Sequence, residues 1–319
     1  MIGDTFELAG KRVWVAGHRG MVGAALVRRL QREDCEILTA SRDAVDLRRQ
    51  AEIEAWMAAH KPDAVFVAAA TVGGIYANDS RPAEFLYDNI MIAANIIHAA
   101  HVRGIEKLMF LGSSCIYPRL AEQPMAEDAL LTGPLEPTNE WYAVAKIAGI
   151  KLCQAYRRQH GRDFISAMPT NLYGPGDRFD LESSHVAPAL LMKTHDAKTT
   201  GAAEVEIWGT GKPLREFMHV DDLADALVFL MRMYSDAEHV NVGTQEEVTI
   251  KQLADTIGEV VGFAGRYRYD ASKPDGAPRK LMDSSRLKAL GWQGGCSLKD
   301  GLAHTYAWYL ENVAGRADA

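Results

Sequence analysis

Two hydrophobic periods alternate along the first half of the chain. Short continuous apolar runs rich in β-branched residues read as buried strands, and apolar residues spaced three and four apart read as helices. The run Lys11–Ala16 is of the first kind. It leads into Gly17-His18-Arg19-Gly20-Met21-Val22-Gly23 and then into the helical spacing of Ala24–Leu30. Strand-like runs follow at Cys35–Ala40, Asp63–Ala68, Lys107–Gly112 and Asp163–Met168. Between them lie helical patterns near Ala51–Ala59, from Pro82 to about Val102 with Gly104 as a stop, and from the Tyr142 region to about His160. Strands separated by helices predict an α/β fold, a Rossmann-type doubly wound parallel sheet. Ligands in such sheets bind beyond the carboxyl ends of the strands. Those ends carry the glycine turn, Ala68–Gly74, Gly112–Cys115 and Pro169–Leu172.

Beyond about residue 172 the elements shorten. Tyr173–Asp180 is turn-rich, and runs follow at Val205–Trp208, Asp221–Met233, Val240–Gly243, after Thr249 and at Leu298–Asn312. This predicts residues 1–172 as a dinucleotide-binding Rossmann domain. Residues 173–319 form a smaller C-terminal substrate-binding α/β subdomain, from which about 215–245 returns to the first.

Composition narrows the classes. The chain has 319 residues, 48% hydrophobic and 24% charged, with net charge −7. That balance argues against broad nucleic-acid binding but permits a local basic pocket for a phosphorylated ligand. No apolar run approaches the roughly 20 residues that span a bilayer, and Met1–Thr5 has no signal-peptide character. Four scattered cysteines, Cys35, Cys115, Cys153 and Cys296, form no CxxC. The expectation is therefore no metal, no disulfide framework and a reducing cytoplasm.

Chemistry enters at two places. The GxxGxxG turn between strand and helix lets backbone approach a pyrophosphate and leaves helix N–H groups facing it. An acidic side chain ending the second strand would favour NAD, whereas arginine suits a 2′-phosphate. Here Ser41-Arg42 ends that strand and Arg19 lies in the turn, which favours NADP(H), although Asp43 is adjacent. The second place is Tyr142 with Lys146, one helical turn apart. A neighbouring ammonium would lower the phenol pKa and make a general acid/base for a carbonyl or alcohol.

These segments, together with Phe110–Pro118, Leu135–Glu140, Pro169–Pro175, Ser184-His185-Val186, Arg215–Asp222 and Asp270–Gly276, resemble the extended short-chain dehydrogenases that act on sugar nucleotides. The resemblance runs almost end to end. It implies NADPH-dependent 3,5-epimerisation and 4-reduction of GDP-4-keto-6-deoxy-D-mannose to GDP-L-fucose by a homodimer. It also implies roles. Ser113, Tyr142 and Lys146 would serve the carbon-4 oxygen, and Cys115 with His185 would invert carbons 3 and 5. Cofactor contacts would come from Gly17, His18, Arg19, Gly20, Met21, Val22, Gly23, Arg42, Asp46, Leu47, Leu111, Gly112, Ser113, Ser114, Lys146, Pro169, Thr170, Asn171, Leu172 and His185. Lys193, Trp208, Arg215 and Asp275 would hold the nucleotide end. The dimer would use the long helix from Pro82 and the Tyr142 helix. Two positions depart from the family pattern: Trp141, where a small residue or proline precedes the tyrosine, and Lys193, commonly arginine.

Other readings compete. An NAD-retaining sugar-nucleotide 4-epimerase would share the fold without needing Cys115 and His185. A non-catalytic NADP-sensing protein would not need Ser113, Tyr142 and Lys146. His98 and His101 read as packing or surface groups. His219 beside Asp221 and Asp222 reads as the start of a helix capped by aspartate rather than as a metal site.

Overall fold

The computed structural model describes residues 6–180, 184–273 and 275–316. The N-terminal Met1–Thr5 segment considered above lies outside them. In chain order the first strands and helices are β1 (Arg12–Ala16), α1 (Met21–Leu30), β2 (Glu36–Leu38), α2 (Gln50–His60), β3 (Ala64–Val67), α3 (Ile75–Ser80) and α4 (Pro82–Val102). Next come β4 (Lys107–Leu111), α5 (Glu140–His160), β5 (Asp163–Pro169), β6 (Asn171–Tyr173) and α6 (Val186–Thr200). They are followed by β7 (Glu204–Trp208), β8 (Leu214–His219), α7 (Val220–Met233), β9 (Val240–Val242), β10 (Glu247–Thr249) and α8 (Ile250–Val261). The last are β11 (Arg266–Asp270), β12 (Arg279–Lys280), α9 (Ser285–Ala289) and α10 (Leu298–Asn312).

Six strands pair in the order β2-β1-β3-β4-β5-β9, and every pairing in that sheet is parallel. The order reverses at β1, so the switch-point crevice opens where the glycine turn leaves that strand. Side chains alternate between two cores, as a sheet covered on both faces requires. Val13, Val15, Phe66, Met109 and Ile165 face α1 and α7 with Leu26, Leu223 and Leu227. Trp14, Val65, Val67, Phe110 and Phe164 face α2, α4 and α5 with Ile53, Ile96, Ile97 and Ile150. Thus α7 and β9, distant in sequence, pack into the first sheet.

A second region gathers around β8, which pairs with β10, β12 and β6, while β7 pairs with β11. Its own core joins Leu190, Leu191, Ile207, Phe217, Leu253 and Ile257. Here the sequence reading missed α3, β6, α6, β8, β10, β11, β12 and α9. The reason is visible in β8: Leu-Arg-Glu-Phe-Met-His buries Glu216 completely, so its polar residues hide a strand from any hydrophobic period. Thr194 likewise interrupts the apolar pattern of α6, yet it is buried with its hydroxyl donating to the Leu190 carbonyl at 2.7 Å.

The cap of α7 needs correction. His219, not an aspartate, is the N-cap, its Nδ1 accepting from the Asp221 amide at 3.3 Å. Asp221 pairs instead with Arg28 of α1 at 2.5 Å, and Asp222 accepts the Cys296 amide at 3.0 Å. Their charge still suits the positive end of the helix. His98 and His101 belong to the α4–α5 packing: His98 meets the Tyr156 hydroxyl at 2.6 Å, and Arg162 donates to His101 at 3.0 Å.

Close approach of α5 to β4 rests on Gly149. A β-carbon there would stand 2.3 Å from Cζ of Phe110. Gly149→Ala is expected to cost about 1–3 kcal/mol through overpacking. Urea unfolding checks this, and an unchanged midpoint would show that the interface has slack.

Candidate active site

The dinucleotide cradle is built from absent side chains. Gly17 adopts φ +91°, and a β-carbon on it would stand 2.6 Å from the Ala69 nitrogen of the neighbouring strand end. One on Gly23 would stand 2.1 Å from the Gly17 carbonyl oxygen. Gly20 caps α1 without any side-chain bond, and the first turn holds no acidic residue. These open N–H groups and the helix dipole suit a pyrophosphate. Met21 and Val22 turn inward against the core. His18, half-buried, has its pKa lowered by burial and by Arg19.

Arg19 and Arg42 are exposed at the mouth of this cradle, as a 2′-phosphate would require. Asp46 is held at about 2, first by its hydrogen bonds from Arg48 and further by Arg42. It is thus a fixed anion that steadies the loop after β2, with Leu47 packed against the core behind it. Asp43, the residue that complicated the choice of cofactor, is exposed beside Arg42.

The loop after β3 is stitched down by buried Asn89, which accepts from the Thr71 amide at 2.9 Å and donates to the Thr71 carbonyl at 2.9 Å. That loop borders the corner where β4 ends. There Gly112 admits Met168, since a β-carbon would stand 2.1 Å from its sulfur. Ser113 is extended and its hydroxyl accepts from the Cys115 amide at 3.5 Å. Ser114 and Cys115 are buried in the single helical turn that follows, Cys115 at 8% exposure.

Across from this turn α5 presents Tyr142 and Lys146. The Lys146 ammonium donates to the Leu111 carbonyl at 2.8 Å. It also stands 5.0 Å from the Phe110 ring centre and 5.5 Å from that of Tyr142. Phe85 packs edge-on to Tyr142 at 6.4 Å.

Electrostatics here overturn one expectation. Lys146 does not lower the Tyr142 pKa in the bare chain. Burial raises it, and Cys115 raises it further. Lys146 itself is pushed down to about 8 by burial, with Cys115 acting in the opposite direction. Desolvation is the largest cause for both groups, and the lysine's hydrogen bond goes to a backbone carbonyl rather than to the phenol. Burial also raises the Cys115 thiol, against Lys280, Ser113 and Lys146.

His185 is the N-cap of α6, yet its imidazole makes no cap bond. The residue is exposed overall, while partial desolvation of its ring, then Lys280 and Arg178, lower its pKa. The Pro169–Leu172 segment joins β5 to β6, and there the Thr170 amide donates to the Val242 carbonyl at 3.1 Å. Asn171 donates to the Glu216 carbonyl at 2.8 Å, and Leu172 packs toward the core. Buried Glu216 ties the segment to its surroundings by accepting the Gln245 and Met282 amides at 2.7 and 3.3 Å.

The four nucleotide-end residues also gather in the second region. Lys193 lies 5.7 Å from the Trp208 ring centre, and that ring is 64% exposed. Asp275 accepts the Thr210 amide at 2.6 Å and its hydroxyl at 2.8 Å. Arg215 is lowered by burial and raised by Asp275. Two cations escaped the sequence reading: Lys273, 5.5 Å from the Trp208 ring centre, and Lys280. Each follows a turn or ends a two-residue strand, so no periodicity marks it. Trp141 is exposed at the outer end of α5.

For the cradle, Gly23→Ala is expected to weaken NADPH binding at least tenfold, because the clash is with backbone that cannot rotate away. Fluorescence titration checks it; undiminished affinity would contradict this placement of the pyrophosphate.

Comparison with known proteins identifies the family and fold. The NAD dependent epimerase/dehydratase family model matches residues 13–243. GDP-L-fucose synthase 1 of Arabidopsis thaliana is 60% identical over 306 residues, 96% of this chain and 95% of that one. GDP-L-fucose synthase of Sinorhizobium fredii is 58% identical over 309 residues, 97% and 98% of the two chains. Among solved structures, a GDP-L-fucose synthetase from Naegleria fowleri bound to NADP superposes with TM-score 0.89 at 27% identity, covering 98% of each chain. With a family model spanning most of its length and a matching cradle, the chain belongs to the NAD dependent epimerase/dehydratase family.

Proposed function

We propose that this protein is a GDP-L-fucose synthase, converting GDP-4-keto-6-deoxy-D-mannose to GDP-L-fucose with NADPH. The observation that carries the reading is the joining of two chemistries at one strand end. Ser113 and Cys115 follow the end of β4, where Lys146 anchors on Leu111; in this reading Ser113, Tyr142 and Lys146 serve a carbonyl, and Cys115 with His185 its neighbouring carbons. A simple 4-epimerase needs no acid and base at neighbouring carbons, and a sensor needs no Ser/Tyr/Lys set. The glycine cradle, the uncapped α1 terminus and exposed Arg19 and Arg42 fit NADPH, which when bound supplies the hydride for carbon 4.

The chain's own residues divide the rest. The ketone at carbon 4 acidifies the hydrogens on carbons 3 and 5. One of Cys115 and His185 removes such a proton, the electron pair moves into the enolate oxygen, and the other returns a proton on the opposite face. Ser113 holds that oxygen during the proton transfers, with Tyr142 beside it. Tyr142 finally gives its proton to the oxygen of the reduced sugar. Its raised pKa in the bare site makes the neutral, proton-bearing form the resting one. Lys146 anchors the corner through Leu111 and is placed for the nicotinamide ribose. Arg215, Lys193 and Asp275, with Trp208 as an aromatic plate, take the GDP moiety; lysine at 193 acts as a point charge rather than a fork.

Residues 1–172 serve the cofactor and 173–319 chiefly the GDP-sugar, the stretch about 215–245 returning to the first sheet. Among the described residues no helix is long and apolar enough to cross a membrane. Four free thiols suit the reducing cytoplasm. A homodimer through α4 and α5 is supported by Tyr87, Val102, Trp141 and Val144, all exposed on these helices; sedimentation showing a monomer at micromolar concentration would remove it.

Mixing enzyme, keto-sugar and NADPH should oxidise the cofactor stoichiometrically; no net oxidation would sink the reductase. Cys115→Ser should abolish solvent-deuterium uptake at the sugar with cofactor affinity nearly unchanged. Tyr142→Phe should block reduction while epimerised ketone accumulates. Loss of both steps in Tyr142→Phe would contradict the division of labour.

A further inference from the structure

One indole carries two ammonium groups. Trp208 ends β7 with its ring 64% exposed. The Lys193 nitrogen lies 5.7 Å from the ring centre and the Lys273 nitrogen 5.5 Å. An aromatic face attracts a cation only weakly at an exposed site, and the two like charges oppose each other. Among the described residues neither ammonium forms a hydrogen bond or an ion pair. Asp270 feels the Lys273 charge, but its Oδ1 is engaged by the Ser272 amide and hydroxyl at 3.0 and 2.6 Å.

Backbone and one carboxylate hold Lys273 in this place. Its amide donates to the Asp270 carbonyl at 3.1 Å, closing the turn that follows β11. Strand β11 lies parallel to β7 with Asp270 opposite Trp208, so that turn begins level with the indole. Beyond it, Asp275 fastens the loop to the turn that follows β7. Its Oδ1 accepts the Thr210 amide at 2.6 Å, and its Oδ2 accepts the Thr210 hydroxyl at 2.8 Å. Gly209, at φ +86°, leaves the room, since a β-carbon there would stand 2.3 Å from Asp275 Oδ1. Arg215 lies against the same loop: a β-carbon on Gly276 would stand 3.5 Å from its Nη2. The clasp therefore brings a loop cation to the plate that already carries Lys193.

We infer that Lys273, carried onto Trp208 by the Asp275–Thr210 clasp, is a second cation for the substrate's diphosphate, which it shares with Lys193. This rests on the functional reading above and adds a residue to it. A lysine is a point charge, whereas a diphosphate presents two charged phosphates. Lys193 answers one of them and Lys273 the other, through charge-assisted hydrogen bonds. The bound anion also removes the repulsion between the two ammonium groups. Thr210 acts through Lys273, as a positioning residue.

The test separates the diphosphate from the base. GDP and guanosine are titrated calorimetrically into the full chain as wild type, Lys273→Met, Lys273→Arg, Thr210→Val and the double variant Thr210→Val/Lys273→Met. Lys273→Met should weaken GDP about tenfold, the size of one charged hydrogen bond, and leave guanosine unchanged. Lys273→Arg should keep most of the affinity. In turnover of the GDP-sugar, Lys273→Met should raise KM with kcat nearly unchanged. Thr210→Val should weaken GDP less, and the double variant should lose no more than Lys273→Met alone, because the clasp works through the lysine. Undiminished GDP affinity in Lys273→Met overturns the inference. So does an equal loss for guanosine, which would make the lysine a support for the indole. Additive losses in the double variant overturn delivery by the clasp. Failure of the functional reading looks different: wild type itself would not bind GDP, nor oxidise NADPH with the keto-sugar.

Discussion

Everything in the site depends on how tightly α5 lies across the end of β4. Gly149 removes the side chain that would keep the helix away from Phe110, and Lys146 fastens it by a 2.8 Å bond to the Leu111 carbonyl. The bond is an uncommon use of a buried ammonium, which is usually paired with a carboxylate. Among the described residues no carboxylate pairs with it. That leaves a desolvated lysine at about 8 beside a phenol that burial holds in its protonated form. The corner is electrostatically unfinished, and a bound ketone with its developing negative charge is what would complete it.

The same economy runs through the second region. Glu216, buried in β8, organises three segments by accepting amides from Gln245 and Met282 while its backbone carbonyl receives Asn171. Gly243 leaves it room, since a β-carbon there would stand 2.3 Å from its carboxylate oxygen. One residue therefore ties the Pro169–Leu172 segment to the chain just after β9 and to the approach of β12. Cofactor side and substrate side meet at this residue rather than at a hinge of exposed loop.

Much of this was readable in the residues. The alternation of β-branched runs with helical spacing placed five of the six strands of the first sheet, β9 being read among the later, shorter elements, and the glycine turn marked the cofactor end of β1. Tyr142 and Lys146 have a spacing common on any helix, which gained meaning only beside the glycine turn and its strand. Cys115, His185 and the nucleotide-end residues had no such local signal and came from resemblance. Strand β8 was invisible because its buried glutamate mimics a surface pattern, and Lys280 because a two-residue strand has no period. The sign of the Tyr142 shift was missed for a further reason: helical spacing says that two side chains are neighbours, not that both are desolvated.

The central claim is that one ketone is used twice in one cleft, first as a sink for proton removal and then as the acceptor of hydride. A single turnover in deuterium oxide with unlabelled NADPH tests it most directly, with the GDP-sugar product mapped by NMR. The account predicts deuterium on carbons 3 and 5 and protium on carbon 4. Protium retained at both carbons 3 and 5, or deuterium at carbon 4, would contradict it.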